Sequence, residues 1–104
     1  ARLAPLANIG MSSLFSPDGP LWYRGFASWS DAEGEERINA ILKKLRANRL
    51  VTGHSVTPTR RITERFGGHL FLIDTGMLGG QFFPNGRPSA LEISGDTTRQ
   101  LYLD

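Results

Sequence analysis

The sequence has no cysteine among its 104 residues. This absence excludes disulfide bonds, cysteine nucleophiles and thiolate zinc sites, and it leaves the cellular compartment undecided. The chain also lacks an apolar run of membrane-spanning length and a charged-then-apolar signal segment at its start. We therefore expect no membrane partner, and a cytoplasmic location is favoured although no signal assigns one.

Several catalytic signatures are absent too. The chain contains no Gly-x-Ser-x-Gly elbow, no Gly-x-x-x-x-Gly-Lys phosphate loop and no dinucleotide-binding Gly-x-Gly-x-x-Gly.

The chain has no large excess of either charge, since 12 basic residues nearly balance 10 acidic ones. Two basic groups occur without interleaved aromatic residues: Lys43, Lys44, Arg46 and Arg49, then Arg60, Arg61 and Arg65. We predict solvated faces and no nucleic-acid partner, while phosphate attraction by a few arginines stays open.

The residues that are present suffice for one small packed domain. Hydrophobic residues make up 39% of the chain, and six Phe, two Trp and two Tyr are among its residues. Residues 1–17 contain Pro5, Gly10 and Pro17, which predict an irregular lead-in. Because the first residue is Ala and the opening is rich in loops, we expect residues 1–104 to be a single partial domain of a larger protein.

A helix is predicted over about 31–47. Ser30 and Glu33 form a capping box, and acidic residues in the first turn and basic ones in the last suit the helix dipole. The helix is predicted to be ended by Asn48, near the C-cap. One apolar stripe at helical spacing is formed by Ile38, Ile41, Leu42 and Leu45.

Three strands are predicted after this helix. The first is Arg49–Gly53, and the second is a half-exposed extended segment over Arg61–Phe66. Gly67-Gly68 predicts a turn into His69–Asp74, a continuous apolar run that is typical of a central strand covered on both faces.

The remainder is predicted as a long loop and a hairpin. The segment 75–88 is rich in glycine and proline, and long loops in compact domains are often functional. Ser89–Ser94 and Thr98–Leu103 flank Gly95-Asp96-Thr97 as a terminal hairpin. The predicted fold class is α/β, with one main helix and about five strands.

Gly53 ends the first predicted strand, and His54 follows it at the start of the next loop. Open α/β sheets bind ligands at this carboxyl edge, and a glycine there permits a sharp turn and leaves room beside the ring. Neutral imidazole is also the commonest metal ligand among side chains. For an isolated Gly-His pair, however, a histidine satisfied by hydrogen bonds at a strand end is the favoured interpretation.

Arg24 is a second candidate, in the segment Gly19–Gly25. An arginine behind Trp22 and Tyr23 and before a glycine can present its planar fork to a phosphate or carboxylate. The equally weighted alternative is that its stem packs on these aromatic rings while its head meets a structural acid.

Asp74 and His69 are two further candidate functional residues. Asp74 ends the apolar strand and could be a ligand, a general base or an orienting group, but capping of the next loop is favoured. His69 follows Gly68 and is predicted to be an exposed edge residue rather than a ligand. Two histidines and scattered carboxylates would make a poor metal site from this chain alone.

Four segments together resemble the C-terminal part of calcineurin-like metallophosphoesterases. They occur in order at 19–25, 51–55, 65–77 and 86–93, with the sequences Gly-Pro-Leu-Trp-Tyr-Arg-Gly, Val-Thr-Gly-His-Ser, Arg-Phe-Gly-Gly-His-Leu-Phe-Leu-Ile-Asp-Thr-Gly-Met and Gly-Arg-Pro-Ser-Ala-Leu-Glu-Ile. The resemblance covers about residues 18–104. It is strongest to the bacterial branch that is similar to phosphoprotein phosphatases, which includes Shewanella-like phosphatases.

This resemblance implies a β-sandwich flanked by helices, with two divalent or trivalent metal ions (Mn, Fe or Zn) between its sheets. It implies that His54 is one metal ligand and that Arg24 clamps the substrate phosphate as a catalytic residue. Gly53, Asp74 and Thr75 would support the site. The implied partner is a phosphorylated substrate, either a protein or a small molecule, whose phosphate monoester is hydrolysed by a metal-activated water.

Two departures from the family pattern limit what the chain can do alone. Many members carry Gly-His-x-His, whereas Val56 stands at the second histidine position here. The Asp-x-His, Gly-Asp-x-x-Asp-Arg-Gly and Gly-Asn-His-Glu motifs, which lie upstream in the family and supply most ligands, are missing. We therefore expect a C-terminal fragment that binds metal weakly or not at all, hydrolyses little, and self-associates through open strand edges.

A non-enzymatic interpretation remains beside the phosphatase hypothesis. In it, a small α/β module binds an anion or a protein partner through Arg24 and the 75–88 loop.

Overall fold

The computed structural model describes residues 13, 16–19 and 21–103, so the predicted lead-in over 1–17 lies mostly outside the described residues. Two helices are described, α1 (Gly25–Ser28) and the main helix α2 (Asp31–Leu45). Within the described ranges, no helix is long and apolar enough to cross a membrane. The strands are β1 (Leu50–Thr52), β2 (Thr63–Arg65), β3 (Leu70–Leu72), β4 (Ser89–Ser94) and β5 (Thr97–Tyr102).

The strands of this described part form two sheets, one with the order β1-β3-β2 and one of β4 and β5. The predicted α/β fold, with one main helix and about five strands, is therefore confirmed.

The main helix α2 begins as its capping box predicts. Ser30 Oγ accepts a hydrogen bond from the backbone N–H of Glu33 at 3.3 Å. The buried face of the helix includes Gly34, where a Cβ would collide with the ring of Phe66. This close approach explains a glycine in the first turn, where alanine has the higher helix propensity.

The C-terminal end of α2 differs from the prediction. The cap is Arg46, in the left-handed conformation with φ of 53°, and not Asn48. The N–H groups of Arg46 and Ala47 donate to carbonyls of the last turn, including that of Leu42, so the helix closes earlier than expected. Leu45, the last residue of the predicted stripe, is exposed.

Strand β3 is the centre of the three-stranded sheet. It pairs in parallel with β1, where Leu50 aligns with Leu70, and antiparallel with β2, where Arg65 aligns with Leu70. All three residues of β3 are buried, which confirms the predicted central strand in a shorter form. The main core cluster joins α2, β3 and the turn before β3, and its buried members are Ile38, Leu42, Phe66, Leu70 and Leu72.

His69 lies between the turn at Phe66–Gly68 and β3. It is half-buried, its Nδ1 is buried without a hydrogen-bond partner among the described residues, and its carbonyl accepts from the N–H of Leu50 at 2.8 Å. The prediction of an exposed edge residue is therefore wrong, because His69 directly precedes the central strand and its backbone bonds to the start of β1.

The hairpin β4–β5 has a tighter turn than predicted. Ser94 pairs with Thr97, so the turn contains only Gly95 and Asp96, and Thr97 already belongs to β5. Gly95 takes a positive φ of 57°, which suits a two-residue hairpin turn. The Oη of Tyr102 accepts from the N–H of Ile62 at 2.9 Å, which attaches the hairpin to the segment before β2.

Candidate functional site

The carboxyl ends of β1 and β3 lie at the same edge of the sheet because the two strands are parallel. Backbone hydrogen bonds join the segments that follow them. The N–H of Ile73 donates to the carbonyl of Thr52, and that of Thr57 donates to the carbonyl of Asp74, each at 2.9 Å. The loop that carries His54 is therefore fixed to the loop that starts at Asp74, at the edge where sheets of this kind bind ligands.

His54 is exposed at this edge and has a left-handed backbone conformation, with φ of 64°. The sharp turn expected at Gly53 thus falls on His54 instead. Gly53 has no positive φ, and a Cβ added there would meet no atom within 4 Å, so room is left beside the histidine as predicted. Exposed residues other than glycine that are held at positive φ cluster at functional sites.

Arg24 reaches the same loop from the segment before α1. Its Nη1 donates one hydrogen bond to the carbonyl oxygen of His54 and another to Ser55 Oγ at 2.9 Å. No acidic side chain among the described residues pairs with this guanidinium. The alternative in which its head meets a structural acid is therefore not what the described residues show, and its positive charge is open to an anion.

Trp22 completes the contact between the two segments. Its ring meets the His54 ring edge to face, with centroids 5.4 Å apart and planes inclined at 68°. A cavity of about 470 Å³ opens beside this pair. The residues that line it are Leu21, Trp22, Tyr23, Phe26, Thr52, Gly53 and His54. Arg24 lines a second cavity of about 570 Å³ that shares Trp22 and Tyr23 with the first. A largely apolar wall beside an imidazole can accept the organic group of a ligand.

Arg65 on β2 attaches the aromatic segment around α1 to the sheet. Its Nη1 donates to the carbonyls of Phe26 at 2.9 Å and Ala27 at 3.1 Å. Its Nη2 donates to the carbonyl of Trp29 and to Asp31 Oδ1 at 3.2 Å. These bonds satisfy carbonyls at the end of α1 and hold the start of α2, so they fix the segment from which Arg24 projects.

Asp74 and Thr75 organise the following loop. Asp74 Oδ1 accepts from the N–H of Gly76 at 3.0 Å, which is the loop-capping interaction favoured from the sequence. Thr75 is fully buried, and its Oγ1 donates to the carbonyl of Arg87 at 2.7 Å and lies 2.8 Å from Ser89 Oγ. Both residues thus close the base of the 75–88 loop, while their supporting role in a reaction stays a prediction.

The described residues do not form a complete metal centre. Among them, no group of three His, Asp or Glu side chains is placed to hold one ion. The Trp22 ring and the Arg24 guanidinium are neighbours of the His54 residue. Catalytic zinc sites use three protein ligands, so the described residues supply fewer ligands than such an ion needs.

Sequence patterns alone did not identify two contributors to the site. Ser55 accepts from Arg24, and the Trp22 ring contacts His54. A hydroxyl directly after Gly-His and an aromatic residue two positions before the arginine were visible signals. Their partners, however, lie about thirty positions away in the chain, and only the tertiary fold brings them together.

Comparison with known proteins gives two relatives and one solved structure. No protein-family profile matches the chain. An uncharacterized protein of Schizosaccharomyces pombe is 41% identical over 68 residues, which are 64% of the chain and 20% of that protein. Shewanella-like protein phosphatase 1 of Plasmodium berghei is 33% identical over 88 residues, which are 78% of the chain and 24% of that protein.

The solved structure is that of a cold-active protein tyrosine phosphatase. It superposes with a TM-score of 0.55 at 24% identity, over 84% of this chain and 24% of that one. At this identity the likeness concerns the fold alone. Together with the Plasmodium relative, it confirms the predicted resemblance to part of a phosphatase, and the chain spans about a fifth to a quarter of the length of these proteins.

Proposed function

We propose that this chain is the C-terminal part of a calcineurin-like, metal-dependent phosphoesterase, a protein phosphatase that hydrolyses phosphate monoesters. The observation that carries the proposal is the contact between Arg24 and the His54 loop, at the shared carboxyl edge of β1 and β3. The name of the Plasmodium relative supports the same reaction class.

Arg24 is the proposed phosphate-binding and catalytic residue. A planar guanidinium can donate to two phosphate oxygens at once, and it can stabilise the charge that develops on them during transfer. Arg24 is exposed and has no acidic partner among the described residues, so an incoming phosphate would not have to displace a carboxylate.

His54 is the proposed metal ligand. Two divalent or trivalent ions, Mn, Fe or Zn, would polarise a phosphoryl group and activate a water when bound. Because the described residues hold no group of three potential ligands, other ligands would come from residues outside this chain, and the chain alone should bind metal weakly and hydrolyse little. Its own contribution is to hold the imidazole against Trp22 and beside the phosphate-binding arginine.

The substrate is proposed to be a phosphorylated protein or small molecule whose organic group lies along the aromatic wall. The cavity beside His54 is lined by Leu21, Trp22, Tyr23 and Phe26 on one side. Such a wall would desolvate an apolar or aromatic leaving group while Arg24, which lines the cavity that shares Trp22 and Tyr23 with this one, engages its phosphate.

The proposal is tested on the complete protein that contains this chain, with metal content and hydrolysis of p-nitrophenyl phosphate as readouts. His54→Ala should lower both metal occupancy and turnover. Arg24→Ala should lower metal occupancy much less than His54→Ala does, and it should lower kcat/KM by about a hundredfold, the usual loss of one donor to a developing oxyanion. His69→Ala is the matched control, since His69 lies at the amino end of β3, at the opposite edge of the sheet.

Normal metal content and normal hydrolysis in His54→Ala would show that the ligand assignment is wrong. The coding sequence upstream of Ala1 provides a cheaper check. It should contain the Asp-x-His, Gly-Asp-x-x-Asp-Arg-Gly and Gly-Asn-His-Glu motifs, and a start codon or an unrelated domain there would contradict the phosphatase proposal.

A second candidate function is a binding module without catalysis. The observation that favours it is the 75–88 loop, which exposes Met77, Leu78 and Phe82 although its base is fixed by the buried Thr75. A loop whose base is fixed and whose large apolar side chains are exposed is suited to binding a protein partner. Missing upstream motifs together with partner binding that Arg24→Ala and Phe82→Ala abolish would favour this function.

A further inference from the structure

The guanidinium of Arg24 donates hydrogen bonds to the described residues from one of its nitrogens only. Its Nη1 donates to two acceptors on the loop after β1, the carbonyl of His54 and the hydroxyl of Ser55. In the part of the chain that the structure describes, neither Nε nor Nη2 of Arg24 has a hydrogen-bond partner. These two atoms form the edge of the fork that binds two oxygens of a carboxylate or phosphate side by side.

We propose that Ser55 is a positioning residue, which holds Arg24 by Nη1 so that the Nε–Nη2 edge is left to bind a phosphate monoester. This inference rests on the proposed function, because it takes Arg24 as the phosphate-binding group. It adds a residue that touches neither phosphate nor metal and acts through the arginine alone.

The exposed location of Arg24 is the reason why its side chain needs a hydrogen-bond anchor. The residue is exposed and lines an open cavity of about 570 Å³, with no ion pair to a described acidic residue. Asp18 lines the same cavity without pairing with it. An arginine with several rotatable bonds in an open cavity loses much conformational freedom when it binds an anion, and prior anchoring removes part of that cost.

The two acceptors have different consequences. The His54 carbonyl belongs to the backbone, and its orientation depends on the left-handed φ of 64° at that residue. Ser55 is half-buried, and its hydroxyl belongs to a side chain, so the hydroxyl can be removed without changing the backbone. Through these acceptors, the position of the phosphate-binding group is coupled to the loop that presents His54.

The first experiment uses the 104-residue chain and nuclear magnetic resonance of the Arg24 Nε–H group, which needs no catalysis. Ser55→Ala should increase the mobility of this group and weaken its titration by inorganic phosphate by about tenfold, the effect of losing one hydrogen bond to a charged group. Ser55→Thr retains a hydroxyl and should restore both. Ser94→Ala, on the exposed hairpin, is the matched control and should change neither.

Ser55→Asp separates positioning from simple packing. A carboxylate at this position would pair with the guanidinium, so phosphate titration of Arg24 should be lost, whereas the mobility of the side chain should fall below that of the unsubstituted chain. In the complete protein, Ser55→Ala should raise KM for p-nitrophenyl phosphate and the inhibition constant for phosphate by the same factor, with a smaller change in kcat.

The outcomes distinguish the two proposals. Unchanged Arg24 mobility in Ser55→Ala, or equal defects in Ser55→Ala and Ser55→Thr, would overturn the role of Ser55 whatever the reaction is. If Arg24→Ala left phosphate affinity unchanged while Ser55→Ala still mobilised Arg24, the phosphate assignment of Arg24 would be wrong, and with it the purpose proposed for Ser55.

Discussion

The guanidinium of Arg24 is hydrogen-bonded to the backbone carbonyl of His54, although thirty positions separate the two residues in the sequence. The bond links the segment before α1 to the loop after β1. The proposed phosphate-binding group and the proposed metal ligand therefore belong to one anchored unit, and a substitution that frees one of them should affect the other.

Trp22→Ala should loosen His54. The edge-to-face contact of the two rings contributes about 0.5–1.5 kcal/mol beyond its buried area, so its loss should lower kcat/KM of the complete protein by about threefold to tenfold. The direct measurement is the chemical shift of the His54 ring protons in the chain, which the Trp22 ring current displaces. Trp22→Phe should keep part of the displacement, and unchanged shifts in Trp22→Ala would contradict the contact.

Arg65→Ala should destabilise the fold strongly. Its side chain is only 15% exposed and donates to the carbonyls of Phe26, Ala27 and Trp29, which would lose their partner. We expect the free energy of unfolding to fall by about 2–4 kcal/mol, measured by urea denaturation.

Arg99→Ala provides the matched control for that change. Its guanidinium pairs with Glu92 across the hairpin, but the two side chains are 65% and 45% exposed. Exposed ion pairs contribute about 0–1 kcal/mol, so this variant should unfold almost like the unsubstituted chain. An equal decrease in the free energy of unfolding in the two variants would show that the Arg65 contacts stabilise the fold no more than an exposed ion pair does.

Gly34→Ala should destabilise although alanine favours helices. The helix propensity would improve by about 1 kcal/mol, but the new Cβ would collide with the buried ring of Phe66. We expect a net loss of about 1–3 kcal/mol in the free energy of unfolding. Gly53→Ala is the control, because its Cβ would enter open space; a change there beyond about 0.5 kcal/mol would contradict the geometry of that loop.

The isolated chain should self-associate through β1. Within the described residues, β1 pairs with β3 alone, and Val51 on this strand is 38% exposed, so an edge of unpaired backbone groups is accessible. Sedimentation velocity should show a concentration-dependent increase in mass, and Val51→Lys should reduce it. A compact monomer at all concentrations would count against open-edge pairing.

Local sequence signals predicted the elements whose causes are local. The capping box of Ser30 and Glu33, the apolar run that became β3, and the hairpin around Gly95 were all recognisable because a few neighbouring residues determine each of them. The errors concern backbone conformation at the ends of elements, which residue type alone does not determine. Arg46 rather than Asn48 closes α2, and His69 directly precedes the central strand with its backbone bonded to the start of β1.

The candidate site was predictable only as separate residues. Motif order selected Arg24 and His54, and a resemblance assigned their roles. The hydrogen bond between them, the acceptor Ser55 and the ring contact of Trp22 depend on tertiary contacts that no local pattern encodes. Arg65 was grouped with solvated basic residues, yet its partners are backbone carbonyls that carry no side-chain signal.

The parallel pairing of β1 with β3 also affects the order of folding events. Leu50 and Leu70 become neighbours only after the chain between positions 50 and 70 has closed into a loop, whereas Ser94 and Thr97 of the hairpin meet across a two-residue turn. Closing longer loops costs more chain entropy, and hairpins form within about 1–10 µs. We therefore expect the hairpin to form early and the edge that carries His54 to be assembled later in folding.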